Sequence, residues 1–180
     1  MQALVVGYGT LLARESLALT LGQASAAAKR FVPVWIEGYR RLFDIRPPYY
    51  RAAVPSACEA ALNLEPVAGA RCNAVVFLCS LDELERLDRR ERGYERIVVP
   101  LRAFESRQPF GRAFAYVAPA DSPWIERDPR ALAPLPRDLE WARAGALAQG
   151  DDFAAQFELT TFLADGSTPI AASAPSQLDR

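Results

Sequence analysis

The apolar positions of this chain fall into short β-like runs punctuated by Gly and Pro, with helical spacing confined to a few stretches. Ala3–Gly7 is an apolar run closed by Gly7-Tyr8-Gly9, which predicts a buried strand delivering a tight loop. From Phe31 to Ile45 the sequence is rich in β-branched and aromatic residues, with Pro33 and Gly38 marking bends or bulges. Ala60–Leu64 and Asn73–Cys79 read as two further strands separated by a hairpin-like break at Pro66 and Gly69. Tyr94–Phe104 and Arg112–Val117 complete about six strands, with Pro109 and Gly111 in the turn between them. A helix starts at Ser80, where Ser80 and Glu83 have capping-box spacing, and Gly93 is its natural stop. Two more helices are predicted over Arg137–Ala148 and Asp151–Ala164, divided by Gly150. The five prolines between Pro119 and Pro136 predict an irregular loop, and residues 165–180 a loosely held tail.

One position in the first helix breaks its own pattern. On a wheel turning about 100° per residue, Leu81, Leu84 and Leu87 share one side, and Glu91 falls in the middle of that stripe. Glu83, Arg86, Arg89 and Arg90 occupy the solvated sides, and Asp88 lies at the stripe's edge. A carboxylate turned inward from a last helical turn is destabilised by desolvation and by the negative end of the helix dipole, and both raise its pKa. The alternative is an ion pair with an arginine such as Arg96 or Arg40, or a frayed helix end that leaves the carboxylate in water.

The Gly7-Tyr8-Gly9-Thr10-Leu11 turn does not fit a dinucleotide fingerprint. Its third small position would be Leu12, and no acidic ribose ligand follows about 20 residues later. A turn with two glycines can nevertheless aim successive backbone N–H groups at a carboxylate or an oxyanion; the plain reading is a tight turn and nothing more.

Composition narrows the chemistry. The chain has 180 residues, 51% of them hydrophobic and 24% charged, which suits one folded domain, expected over residues 1–164. A net charge of -1 offers no field for a nucleic acid or an anionic membrane, so neither is expected as a partner. With 0 His in the chain, Ser-His-Asp machinery and imidazole bases are excluded. An acid/base group must be a carboxylate, a tyrosine, a cysteine or the single lysine, Lys29. Cys58, Cys72 and Cys79 have no metal-site spacing and no disulfide framework, so no metal is expected. Ala3–Ala13 lacks a basic flank and is too short to span a bilayer, and a cytoplasmic protein is expected.

Taken together, Tyr8-Gly9-Thr10-Leu11 after a strand and Leu87-Asp88-Arg89-Arg90-Glu91-Arg92-Gly93-Tyr94 before another resemble the γ-glutamylcyclotransferase-like superfamily. Gly38-Tyr39-Arg40-Arg41-Leu42-Phe43 is similar to a G-x-R-R-x-F stretch of several members, and Tyr116 takes the place of a barrel tyrosine near the pocket. Thr10 stands where serine is usual, which keeps the hydroxyl and the amide. Glu91-Arg92-Gly93-Tyr94 is closest to the ChaC-like and bacterial branch.

The resemblance implies an α+β fold, a mixed and partly closed β-barrel of about six strands with helices packed around it. It implies an intramolecular reaction in which the α-amine of a γ-glutamyl group attacks its own side-chain carbonyl and releases 5-oxoproline and an amine or amino acid, with no cofactor. Glu91 would be the catalytic acid/base; Tyr8, Gly9, Thr10 and Leu11 would hold substrate, and Tyr94 and Tyr116 would line its pocket. The only partner implied is a small γ-glutamyl compound. The alternative is a non-catalytic member of the fold that binds a small ligand or a protein through the same cavity.

Overall fold

β1 (Gln2–Gly7) is apolar because neighbours cover both of its edges. It pairs antiparallel with β3 (Cys58–Ser80) and parallel with β5 (Pro109–Val117), and Val5 and Val6 are fully buried. A computed structural model of the chain describes residues 2–46, 58–128, 130 and 132–172. The strand order is β6-β3-β1-β5-β4-β2-β7, where β2 is Val32–Ile45, β4 is Glu95–Ala103, β6 is Leu132–Pro134 and β7 is Thr161–Leu163. β2 also pairs with β3, which closes β3-β1-β5-β4-β2 into a partial ring, the mixed barrel expected from the sequence.

The strand count differs from about six for two reasons. The segments expected as Ala60–Leu64 and Asn73–Cys79 belong to one strand, β3, which runs beside β2 for most of its length. The break at Pro66 and Gly69 is a register shift instead: Glu37 pairs with Arg71 but Tyr39 with Pro66, so residues 67–70 stand opposite Gly38, whose φ is +79°. β6 and β7, three residues each, flank the ring and are too short for an alternating pattern to register.

Helices pack around the ring. α1 (Arg14–Leu21) and α2 (Gln23–Ala28), which the sequence pattern leaves unassigned, meet at Gly22; Ser16, Leu17, Ala18 and Leu21 face inward while Leu19 is 74% exposed. α3 (Leu81–Arg90) carries the predicted capping box in full, with Ser80 accepting from the Glu83 N–H and Glu83 accepting from the Ser80 N–H. Leu84 and Leu87 are buried, but Leu81 is exposed, because β1 begins at Gln2 opposite Ser80 and the helix starts past that end of the sheet. α4 (Pro136–Leu147) matches expectation. α5 (Asp151–Leu159) ends before the expected Ala164. The Thr160 and Thr161 hydroxyls donate back to the Gln156 and Phe157 carbonyls at 2.7 and 2.6 Å, ending the helix, and Thr161–Leu163 then pair with β2.

Packing continues past Ala164. Phe162 bridges to Pro169, the Arg40 guanidinium donates to the Gly166 carbonyl, and Ile170 is fully buried.

Candidate functional site

β1 delivers the chain into a 3-10 turn, Thr10–Leu12, whose Leu12 and Ala13 N–H groups donate to Gly9 and Thr10. The N–H groups that open such a turn have no acceptor within it and are free to face a ligand. Two close approaches fix the turn. A Cβ on Gly7 would lie 2.6 Å from the Leu11 carbonyl oxygen, and a Cβ on Gly145 of α4 would lie 2.4 Å from the Leu12 carbonyl carbon. Only glycine fits at either place. From beneath, the fully buried Arg41 guanidinium donates to the Tyr8 carbonyl at 3.0 Å, and also to Asn73, Thr160, Thr161 and the Phe157 carbonyl. Burial lowers the Arg41 pKa to about 10, and no carboxylate contacts it among the described residues. The sequence offers Arg41 only as part of a similarity; its role as the post under the loop emerges in three dimensions.

Glu91 caps the C-terminal end of α3, its N–H donating to the Leu87 carbonyl. Its side chain is 17% exposed and lines a cavity of about 260 Å³ together with Tyr8, Gly9, Thr10, Leu11, Tyr94 and Tyr116. All the residues that the sequence nominated therefore border one space, which lies near the small end of ligand pockets. Burial raises the Glu91 pKa; the Arg90 guanidinium opposes this, and the like charge of Asp138 adds to it. Arg96 and Arg40, the partners considered from the sequence, are engaged elsewhere, with Asp88 at 3.1 Å and Glu65 at 2.5 Å.

The partner of Glu91 is its neighbour Arg90, with Nε 3.1 Å from Oε1. Arg90 was expected on a solvated side, but α1 lies there. Its guanidinium donates to the Ser16 carbonyl and hydroxyl, to Thr20 and to the Thr10 hydroxyl at 2.9 Å. Arg90 thus ties the candidate base to the turn that borders the same cavity. Sequence periodicity could not show this, because the side of a helix covered by a short, weakly patterned neighbour looks the same as a wet one.

The other candidate acid/base groups are committed. Lys29 Nζ lies 2.6 Å from Glu83, on which the Ser25 hydroxyl also converges. Burial pushes the Cys72 and Cys79 thiols up to about 11, while Cys58 lies at the edge of the described residues. The tyrosines serve as donors: Tyr8 to the Tyr116 carbonyl at 2.5 Å, Tyr94 to the Leu62 carbonyl at 2.9 Å, and Tyr116 to Asp88 at 2.7 Å. Burial raises Tyr8 and Tyr116 well above the usual phenol range, and the Asp88 carboxylate reinforces this at Tyr116. The sequence did not identify the outer wall, Leu19 and Thr20 of α1 and Arg137, Asp138 and Trp141 of α4. Among the described residues, no cluster of three or more His, Cys, Asp or Glu side chains could hold a metal ion, and no helix is long and apolar enough to cross a membrane.

A mixed five-strand ring with helices packed around it, and a carboxylate and a backbone turn bordering one small cavity, defines an α+β protein with a candidate pocket. A model of the family described as gamma-glutamyl cyclotransferase, AIG2-like, matches residues 5–143, and the chain belongs to this family. No curated protein matches it. Among solved structures, one titled gamma-glutamyl cyclotransferase superposes with a TM-score of 0.66 at 15% identity, covering 89% of this chain and 88% of that one. An uncharacterized protein from Homo sapiens superposes with a TM-score of 0.66 at 16% identity, covering 88% of each chain. YkqA from Bacillus subtilis does so with a TM-score of 0.66 at 13% identity, where 93% of this chain spans 55% of that one. At these identities the likeness establishes the fold.

Proposed function

We propose that this protein is a γ-glutamyl cyclotransferase in which Glu91 is the acid/base group. The observation that carries the reading is a half-buried carboxylate bordering the same cavity as the Tyr8–Leu11 turn, and burial raises its pKa. Glu91 takes a proton from the α-ammonium of a γ-glutamyl compound, and the freed amine attacks the side-chain carbonyl carbon. A five-membered ring forms through a tetrahedral intermediate whose oxyanion the turn's N–H groups stabilise. Glu91 returns that proton to the departing nitrogen as the C–N bond breaks, then takes the second proton from the positively charged ring nitrogen and passes it to the released amine, so that 5-oxoproline and an ammonium leave; no water is consumed. Nucleophile and electrophile share one molecule, so most of the acceleration comes from holding a folded conformer in a small space. Arg90 holds Glu91 Oε1, which leaves Oε2 for the proton.

The AIG2-like family match and the similarity of the Glu91–Tyr94 segment to ChaC-like enzymes leave glutathione, γ-glutamyl amino acids and γ-glutamyl amines as substrate classes. A panel of the three, read by mass spectrometry, tests the reading. Release of 5-oxoproline from at least one compound, abolished in Glu91→Gln with the fold retained, is the expected result. Binding without turnover would favour the ligand-binding alternative.

A further inference from the structure

The proline-rich loop after β5 doubles back over the end of β2. Ile125 bridges to Ile45, the Arg46 N–H donates to the Trp124 carbonyl at 2.8 Å, and the Glu126 N–H donates to the Asp44 carbonyl at 2.9 Å. Ile125 packs against a small buried cluster of Ile45, Ala61 and Ala118, and so does Tyr94. Ala61 and Tyr94 also line the cavity that Glu91 borders. Residues 119–128 therefore form a strap that supports one wall of the candidate site. Under the strap lies Asp44, fully buried, and among the described residues no well-directed donor reaches either of its oxygens. Arg127 of the strap places Nη1 2.8 Å from Oδ2, but its side chain is 46% exposed and is shared with Glu65 at 3.0 Å.

The charged and titratable groups around Asp44, among the described residues, are Arg127 and Glu126 of the strap, Arg46 next to β2, Glu65 of β3 and the Tyr8 phenol. Arg46 is directed to Glu126 at 3.6 Å, and the like charge of Glu65 works against ionisation of Asp44. A carboxylate taken out of water needs directed donors to recover what it loses, and one shared, half-exposed arginine does not supply them. With its proton on, Asp44 lies under the strap at little cost. With the proton off, lifting the strap lets water reach the charge. We propose that Asp44 is a positioning residue: through the strap it sets how firmly the Ala61 and Tyr94 wall of the pocket is held, and the hold loosens as Asp44 gives up its proton. Burial, set against Arg127 and Asn63, brings the Asp44 pKa from 3.8 to about 6, so strap opening should increase as the pH rises through that interval. Whatever the pocket binds, its wall follows the protonation of Asp44.

The test is amide hydrogen exchange, followed by NMR near pH 5 and near pH 7.5, with each rate divided by the intrinsic rate at that pH. The Arg46 and Glu126 amides report the strap, and the Tyr94 amide, which donates to the Glu91 carbonyl at 3.1 Å, reports the wall. In the wild-type protein the protection of all three should fall about tenfold between the two conditions, the factor set by a carboxyl that titrates at about 6 under the strap and at 3.8 in water. That protection should stay below that of the β1 amides, which are covered on both edges and open with the whole fold. Asp44→Asn should hold all three level. Arg127→Gln, at a half-exposed side chain, removes the cation that opposes burial and should enlarge the fall, which keeps the proposal testable if Asp44→Asn does not fold. Thermal melting checks both variants. Wild-type protection that does not change with pH, a fall that persists in folded Asp44→Asn, or a fall not enlarged in folded Arg127→Gln would overturn the proposal. So would a Tyr94 amide that stays level while Arg46 and Glu126 fall, or strap amides that exchange only as slowly as β1.

Discussion

Helix α3 carries a glutamate at each end, and the two differ in almost every respect that decides what a carboxylate does. Glu83, in the first turn, lies at the positive end of the helix dipole and accepts from the Ser80 N–H, Ser25 and Lys29. Burial works to raise its pKa, but these donors outweigh it and hold the carboxyl at about 2. Glu91, at the negative end, has one cationic partner, and burial wins. A carboxylate whose acceptor sites are filled fastens elements together, here α2 to α3. One left partly unsatisfied beside a cavity keeps a proton affinity that chemistry can use.

The sharpest way to break this contrast is to remove each charge in turn. Glu91→Gln should lower kcat by about 10³ or more, within the range expected for loss of an acid/base group, and should retain the melting temperature; 5-oxoproline release and thermal melting measure the two effects. Glu83→Gln should do the reverse, leaving turnover per folded molecule intact while losing up to about 3 kcal/mol by denaturant unfolding. The sign follows from the pKa. Glu83 falls from 4.5 to about 2 on folding, so its contribution is present above pH 4.5 and is lost as the pH drops toward 2.

A third carboxylate separates burial from catalysis. Asp44 is fully buried, and among the described residues no well-directed donor reaches its oxygens, although Arg127 Nη1 lies 2.8 Å from Oδ2 and Asn63 is close enough to oppose the effect of burial. Burial raises it from 3.8 to about 6 despite Arg127. Here the sign is opposite to that of Glu83: the charged form is disfavoured in the fold, so the wild-type protein loses stability as the pH rises from about 4 through 6. Asp44→Asn should remove that loss, worth up to about 3 kcal/mol by pH 8, as read by unfolding at pH 5 and pH 8. Equal pH dependence in the two proteins would contradict it. The smallest expected effect is at Arg90. Arg90→Met removes the charge that lowers Glu91, so the acid limb of the rate profile should move to higher pH. A stationary limb would mean that the rate does not follow Glu91.

The contrast was half legible in the sequence. The capping box announced Glu83's position, and the wheel placed Glu91 on the inward stripe, because both depend on spacing within one helix. The contacts of Lys29 and Ser25 with Glu83, and of Arg90 with Thr10, Ser16 and Thr20, join segments far apart in the chain, and no local period encodes them. The strand run from Val32 to Ile45 could be read because branched and aromatic residues dominate it. β7 could not, because three residues within an otherwise helical stretch become a strand only when Arg41–Phe43 provide the edge. Asp138 escaped notice because an acid in a first helical turn looks ordinary until the cavity it borders is known.

The most direct measurement is a titration of the side-chain carboxyl groups by ¹³C NMR, with Glu83 and Glu91 assigned through their Gln variants. Two glutamates on one short helix should titrate on opposite sides of the ordinary value of 4.5, Glu83 near 2 and Glu91 above 4.5. A Glu91 resonance that titrates at or below 4.5 would contradict it.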